Sequence, residues 1–313
     1  MRNHRRFALG ATMLVLALAA GACSSGGGGT STPTGAASSP AVQRGTLTIG
    51  VSGGFAENQL VAEMYAQVLE KAGYTIKRQL DLESRPVSDQ ALFSGQIDIK
   101  PEYLAFELPK LDPNADTTGT ADQVFPRFQQ AASAKGITAL NFSPADSTNV
   151  FVAKPETATK YNLTNMSSLA PVASKLTLGA PPDCSTNNAC EKGLKDTYGI
   201  TFKSIKSLDF GGPKTKAALD SGAVDVGELF SLDPDITTKG YTVLDDDKHL
   251  QGAGNFVPMV RTDKLNPEIT SLLNALQAKL TTAGMLALVA KVQNEHQDVA
   301  DVAKAFLQSQ GLL

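Results

Sequence analysis

The sequence predicts an α/β protein built from two lobes of similar design, and three observations predict it. Residues 91–103, ALFSGQIDIKPEY, return in kind as ALDSGAVDVGELF at residues 218–230, 127 positions downstream and without a gap. Upstream of each copy stand matching segments: LTIGV (47–51) against LTLGA (176–180), and GYTIKRQLDL (73–82) against GITFKSIKSL (199–208). The order strand, helix, strand, helix, strand is therefore written twice, over roughly 55 residues each time, the size of a βαβαβ half-domain. The third observation is local. In both copies Ala-Leu closes an amphipathic helix, Gly95 or Gly222 stands where a C′ residue must take φ > 0, and an alternating strand follows.

The N-terminus precedes the fold. Arg2, Arg5 and Arg6 make a basic n-region, and Phe7–Ala20 is an apolar run too short and too alanine-rich for a membrane span, so residues 1–22 are expected to be an export signal. AGAC at 20–23 permits two cuts: ordinary signal-peptidase cleavage after Ala20-x-Ala22, or lipoprotein processing that leaves a lipid on Cys23. The Ser/Gly/Thr/Pro stretch running to residue 45 reads as a flexible tether and favours the lipid, although Ala20 stands where lipoprotein signals usually carry Leu or Val. Losing the three arginines takes the basic count from 28 to 25 against 31 acidic residues, a net charge of −6. That balance, with no basic cluster, argues against nucleic acid. No second long apolar segment follows, so no membrane-spanning helix is expected.

The first lobe is expected over residues 46–147 and the second over 148–254. The remainder, 255–313, is helical by pattern from Asn266 onward and is expected to return to the first lobe. Within the second lobe, Cys184 and Cys190 lie six apart in the polar loop PPDCSTNNACEKG; outside the cytoplasm they are expected to form a disulfide, worth about 2 kcal/mol for so short a loop. The three histidines, His4, His249 and His296, are scattered, which disfavours a metal site.

One segment imitates an enzyme. GVSGG at 50–54 fits the G-x-S-x-G nucleophile elbow, with Ser52 as nucleophile and Asp225 or Asp245 and His249 following. The elbow strand of that fold is central and late, whereas this one is the first of its domain. The alternative is that the glycines let a ligand or helix approach the backbone closely. No phosphate-loop, dinucleotide or zinc signature occurs, so no cofactor and no catalysis are expected.

Ligands of such units bind beyond the carboxyl ends of the strands. Two facing lobes would line a cleft with six loops: 52–57, 83–85 and 101–106 from the first, 181–184, 209–213 and 229–233 from the second. The repeat puts Tyr103 and Phe230 at equivalent strand ends, where they are either core or a facing aromatic clamp. These observations together describe an exported solute receptor that closes by a hinge.

The chain from about Thr46 to Leu313 resembles the substrate-binding proteins of osmoprotectant ABC importers, which capture glycine betaine, choline or carnitine. The resemblance rests on ENQLVAEMYAQVLEKAGY, SGQIDIKPEY, YGITFKSIKSLDFGGP, LDSGAVDV, VLDDDKHL, VPMVR and the ending DVADVAKAFLQSQGLL. GGPKTKAAL with the cysteine loop is similar to an actinobacterial branch. The family implies a type II periplasmic-binding-protein fold, two Rossmann-like lobes joined by a two-strand hinge crossing near 146–150 and 252–257. It also implies a small-molecule solute and importer permease subunits as partners, and with the lipid on Cys23 a monomer held at the outer face of the cell membrane.

For the site, the resemblance implies an aromatic cage around a quaternary ammonium. Tyr103 matches one tyrosine, Phe230 fills a second aromatic position, and Asp146 matches an acidic residue beside the cage. Thr148 and Gly254–Asn255 stand where further tyrosines are expected. On the carboxylate side, Gly53 replaces a lysine or asparagine, Asn187 an arginine, and Leu104-Ala105-Phe106 a T-G-T. Phe55 in the first loop completes the set of expected contacts. Each missing ring costs a cation about 0.5–2 kcal/mol and a lost charge-assisted anchor about 2–3 more. Family membership thus implies an osmoprotectant, while the residues suggest a less charged or more aromatic solute. Arg85 is read either as an anion-binding side chain or as a surface arginine at a helix start.

Overall fold

The computed structural model describes residues 44–53 and 55–313; the expected signal peptide, Cys23 and nearly all of the tether lie outside them. Ten strands are described: β1 (Thr46–Ser52), β2 (Thr75–Leu82), β3 (Ile99–Tyr103), β4 (Ile137–Ala139), β5 (Asn149–Ala153), β6 (Thr177–Ala180), β7 (Ser204–Ser207), β8 (Val226–Phe230), β9 (Thr242–Leu244) and β10 (Phe256–Arg261). They form two five-stranded sheets, ordered β2-β1-β3-β10-β4 and β7-β6-β8-β5-β9. In the first, β1 runs parallel to β2 and β3 while β10 is antiparallel to β3 and β4. The second repeats that pattern, with β6 parallel to β7 and β8, and β5 antiparallel to β8 and β9. This is the type II periplasmic-binding architecture.

The duplicated sequence is a duplicated structure down to single contacts. Gly95 has φ 81° and Gly222 φ 73°, so both helices end in the left-handed turn that glycine takes without a Cβ clash. Three residues later the two aspartates do the same work. Asp98 Oδ2 accepts from Thr48 N–H and Asp225 Oδ2 accepts from Thr177 N–H, each at 2.8 Å, tying the third strand of a lobe to its first.

Helices cover both faces of each sheet: α1 (Ala56–Lys71), α2 (Arg85–Ser94), α3 (Leu104–Leu111) and α4 (Ala121–Ser133) in the first lobe, then α5 (Pro155–Tyr161), α6 (Glu191–Gly193), α7 (Pro213–Asp220) and α8 (Asp235–Thr238) in the second. The terminal helices α9 (Pro267–Gln277), α10 (Thr282–Gln293) and α11 (Val299–Ser309) return to the first lobe, where Leu273, Leu276, Val302 and Leu307 share one core with Leu60 and Tyr65 of α1. Asn266 and Asp298 begin α9 and α11 by accepting from backbone N–H groups, as N-caps do. No single helix among the described residues is long and apolar enough to cross a membrane.

The chain passes between lobes twice, and the two passages pair: Asp146 bridges Asn255, and Ser147 N–H donates to the Gly254 carbonyl at 3.0 Å. They lie so close that a Cβ on Gly254 would stand 2.0 Å from the Ser147 carbonyl oxygen. Only glycine fits there. Cys184 and Cys190 are joined in a buried disulfide with Cα atoms 5.0 Å apart.

Candidate ligand cleft

Between the lobes lies a cavity of about 490 Å³, and all six post-strand loops contribute to it. Ser52, Phe55, Glu57, Glu83, Arg85, Tyr103 and Phe106 line it from the first lobe; Pro181, Asp183, Asn187, Phe210, Glu228 and Phe230 line it from the second. Ser147 and Asn149 form its floor where the chain crosses.

The aromatic wall is built from strand ends and a helix start. Tyr103 ends β3, is 4% exposed, and packs against Phe256 and Phe106 with ring centroids 5.0 and 6.1 Å away. Its hydroxyl donates to Glu57 Oε1 at 3.2 Å, and Ser147 Oγ donates to the same oxygen at 3.3 Å. Burial pushes the Glu57 carboxyl up, and these hydrogen bonds with those of the backbone offset only part of it. Phe230, at the equivalent end of β8, meets Phe55 edge to face at 5.2 Å rather than Tyr103. Phe210, between β7 and α7, is 56% exposed, the most exposed of the large apolar side chains among the described residues.

Arg85 does face the cleft, but it is held from below. Its Nε donates to Glu102 Oε1 at 3.0 Å, and its Cζ stands 5.8 Å from the Tyr103 ring centroid. Glu102 also takes Lys100 Nζ at 3.1 Å, and Lys100 binds Asp89 as well. Burial would raise the Glu102 carboxyl, yet Arg85 and Lys100 outweigh it and hold it below the usual range. Glu107, 4.0 Å from Arg85, goes the other way: burial, with Glu102 beside it, drives its carboxyl well above the usual range.

Glu228 is the counterpart in the second lobe. It lies inside a fully paired strand, 5% exposed, with Oε2 3.0 Å from Cys190 Sγ. Burial, reinforced by the charge of Asp183, lifts its carboxyl to about 8. Nothing in the sequence reading singled out Glu228, Asp183, Glu57 or Phe210. A glutamate inside a strand of otherwise buried residues was the available signal.

The expected contacts divide. Tyr103, Phe230, Phe55, Arg85 and Asn187 line the cleft. Asp146, Thr148 and Asn255 line a second cavity of about 460 Å³ beside β5 and β9. There the Asp146 carboxyl is lifted by burial to about 6, and Asn255 Nδ2 donates to the Ser143 carbonyl at 2.9 Å. Successive side chains of an extended segment point to opposite faces, so Ser147 occupies the cleft where its neighbours were expected, and Asn149 borders both cavities. Gly53 packs on Asp81, whose Oδ1 is 2.0 Å from where a Cβ would be, and lines neither cavity. The enzyme-like set is not assembled: Ser52 lines the cleft, Asp245 and His249 the second cavity, and Asp225 accepts from Thr177 N–H.

Two similar α/β lobes, hinged by paired crossing strands and closing a cleft at their strand ends, define a solute-binding protein of the periplasmic type. Residues 45–309 match the family described as the substrate binding domain of the ABC-type glycine betaine transport system, and the chain belongs to it. It is 27% identical over 269 residues to the carnitine transport binding protein OpuCC of Listeria monocytogenes, covering 80% of this chain and 83% of that one. It is also 27% identical over 275 residues to the glycine-betaine-binding protein of Pseudomonas aeruginosa, covering 83% and 86%. Among solved structures, a glycine betaine/carnitine/choline ABC transporter protein superposes with a TM-score of 0.75 at 24% identity, covering 85% of this chain and 98% of that one.

Proposed function

We propose that the chain is the extracytoplasmic receptor of an ABC importer, capturing a small ammonium osmoprotectant by closure of residues 148–254 against 46–147 and 255–313. The observation that carries this reading is the cleft with Tyr103 and Phe230 at equivalent strand ends and Phe55 edge-on to Phe230. Ring faces attract a cation that cannot hydrogen-bond, and a dry pocket strengthens that attraction. The closed receptor then delivers its solute to permease subunits, held near them by a lipid on Cys23. Relatives named for carnitine and glycine betaine support the solute class.

Calorimetry tests it. Choline, glycine betaine or carnitine should bind, and Tyr103→Ala should cost about 1–2 kcal/mol. A second reading, an uncharged aromatic solute stacked between rings, is favoured by Phe106 and Phe210 on the same walls. It prevails if the ammonium compounds give no heat at millimolar concentration while a neutral ring compound binds.

A further inference from the structure

Arg85 is the only lysine or arginine lining the cleft among the described residues, and its charge is already answered. Beneath it two cations, Arg85 and Lys100, face two anions, Asp89 and Glu102. No surplus positive charge points at the solute. The opposite wall presents Glu228 and Asp183, and neither has an ion-pair partner among the described residues; Glu83 at the rim has none either. The aromatic rings add negative faces to the same space.

We infer that the cleft selects a net organic cation over a zwitterion that carries a carboxylate. This rests on the ammonium reading above and specifies its charge. A carboxylate entering here meets Glu83, Asp183 and Glu228 and finds no guanidinium or ammonium free to receive it. It loses its hydration without a charge-assisted partner, the costliest way to bury an anion. A cation instead meets rings on one side and carboxyl groups on the other. Glu228 strengthens this on geometric grounds, because it is buried, fixed by its strand, and lines the cleft. Burial weakens it as an acid, and an arriving cation favours the ionised form.

Calorimetry on the exported protein compares choline and benzyltrimethylammonium with glycine betaine and carnitine, which share the quaternary head. The cations are expected to bind at least tenfold more tightly. Glu228→Gln should shrink that ratio at least threefold, and Asp183→Asn, at an exposed residue with no ion-pair partner among the described residues, should shrink it in the same direction. A zwitterion that binds as tightly as choline, or a ratio untouched by both variants, overturns the inference while leaving the receptor reading in place. If none of the four binds, the ammonium reading itself falls, and this inference with it.

Discussion

Phe55 and Phe230 meet edge to face, 5.2 Å apart, although one begins the first helix of the first lobe and the other ends a strand of the second. The lobes therefore already touch at one side of the cleft. Phe210, on the same wall as Phe230, is still more than half exposed. Closure should bury it. The chain has no tryptophan, so Phe210→Trp gives a single reporter. Its emission is expected to shift to shorter wavelength when solute binds, while circular dichroism and melting stay unchanged. An emission spectrum indifferent to a saturating solute would mean that Phe210 stays outside the closing surface.

Arg85 should act mainly on stability. Arg85→Ala leaves Glu102, which is fully buried, with Lys100 as its one remaining cation. Breaking one side of such a buried network is expected to cost about 3–5 kcal/mol. A large fall in melting temperature, present without any solute, is the measurement. If the variant melts like the parent but binds solute poorly, Arg85 is a ligand contact first.

Glu228 makes stability depend on pH in an unusual direction. Its folded-state carboxyl titrates near 8, well above its ordinary value near 4.5. Between those values the folded protein holds a proton that the unfolded chain has released, so stability falls as pH rises and levels off above about 8. The slope from this one group approaches about 1.4 kcal/mol per pH unit. Denaturant melts of the parent and Glu228→Gln from pH 5 to 9 should converge at low pH and separate at high pH, with the glutamine variant the more stable. Parallel curves would show that Glu228 titrates normally.

Replacing Cys23 by serine is expected to release the protein into the medium with its solute affinity intact. Mass spectrometry of the parent should find a diacylglycerol on Cys23 and no residues before it. An unmodified cysteine at the N-terminus would indicate plain secretion.

The repeat was legible because its signals are backbone signals: a glycine forced to positive φ and alternation along each strand. The six cleft loops followed from the strand order. What escaped was orientation where the chain crosses between the lobes. Asp146 and Thr148 line the second cavity while Ser147 lines the cleft and Asn149 borders both, and a single step in an extended segment exchanges the two faces. Arg85 shows a different limit. Its position after the second strand was evident, but its partners Glu102 and Lys100 come from a strand whose register no local pattern reveals.

The strand order also sets a schedule for the growing polypeptide. In the first sheet β10 lies between β3 and β4, and β4 has no other neighbour. That sheet is incomplete until residue 261 has emerged, whereas every strand of the second sheet is available by residue 244. The half of the molecule that begins later can thus finish first, and the N-terminal half must wait with β3 as an open edge. A chain threaded through a membrane from its N-terminus stays unable to complete its first core until most of its length has crossed.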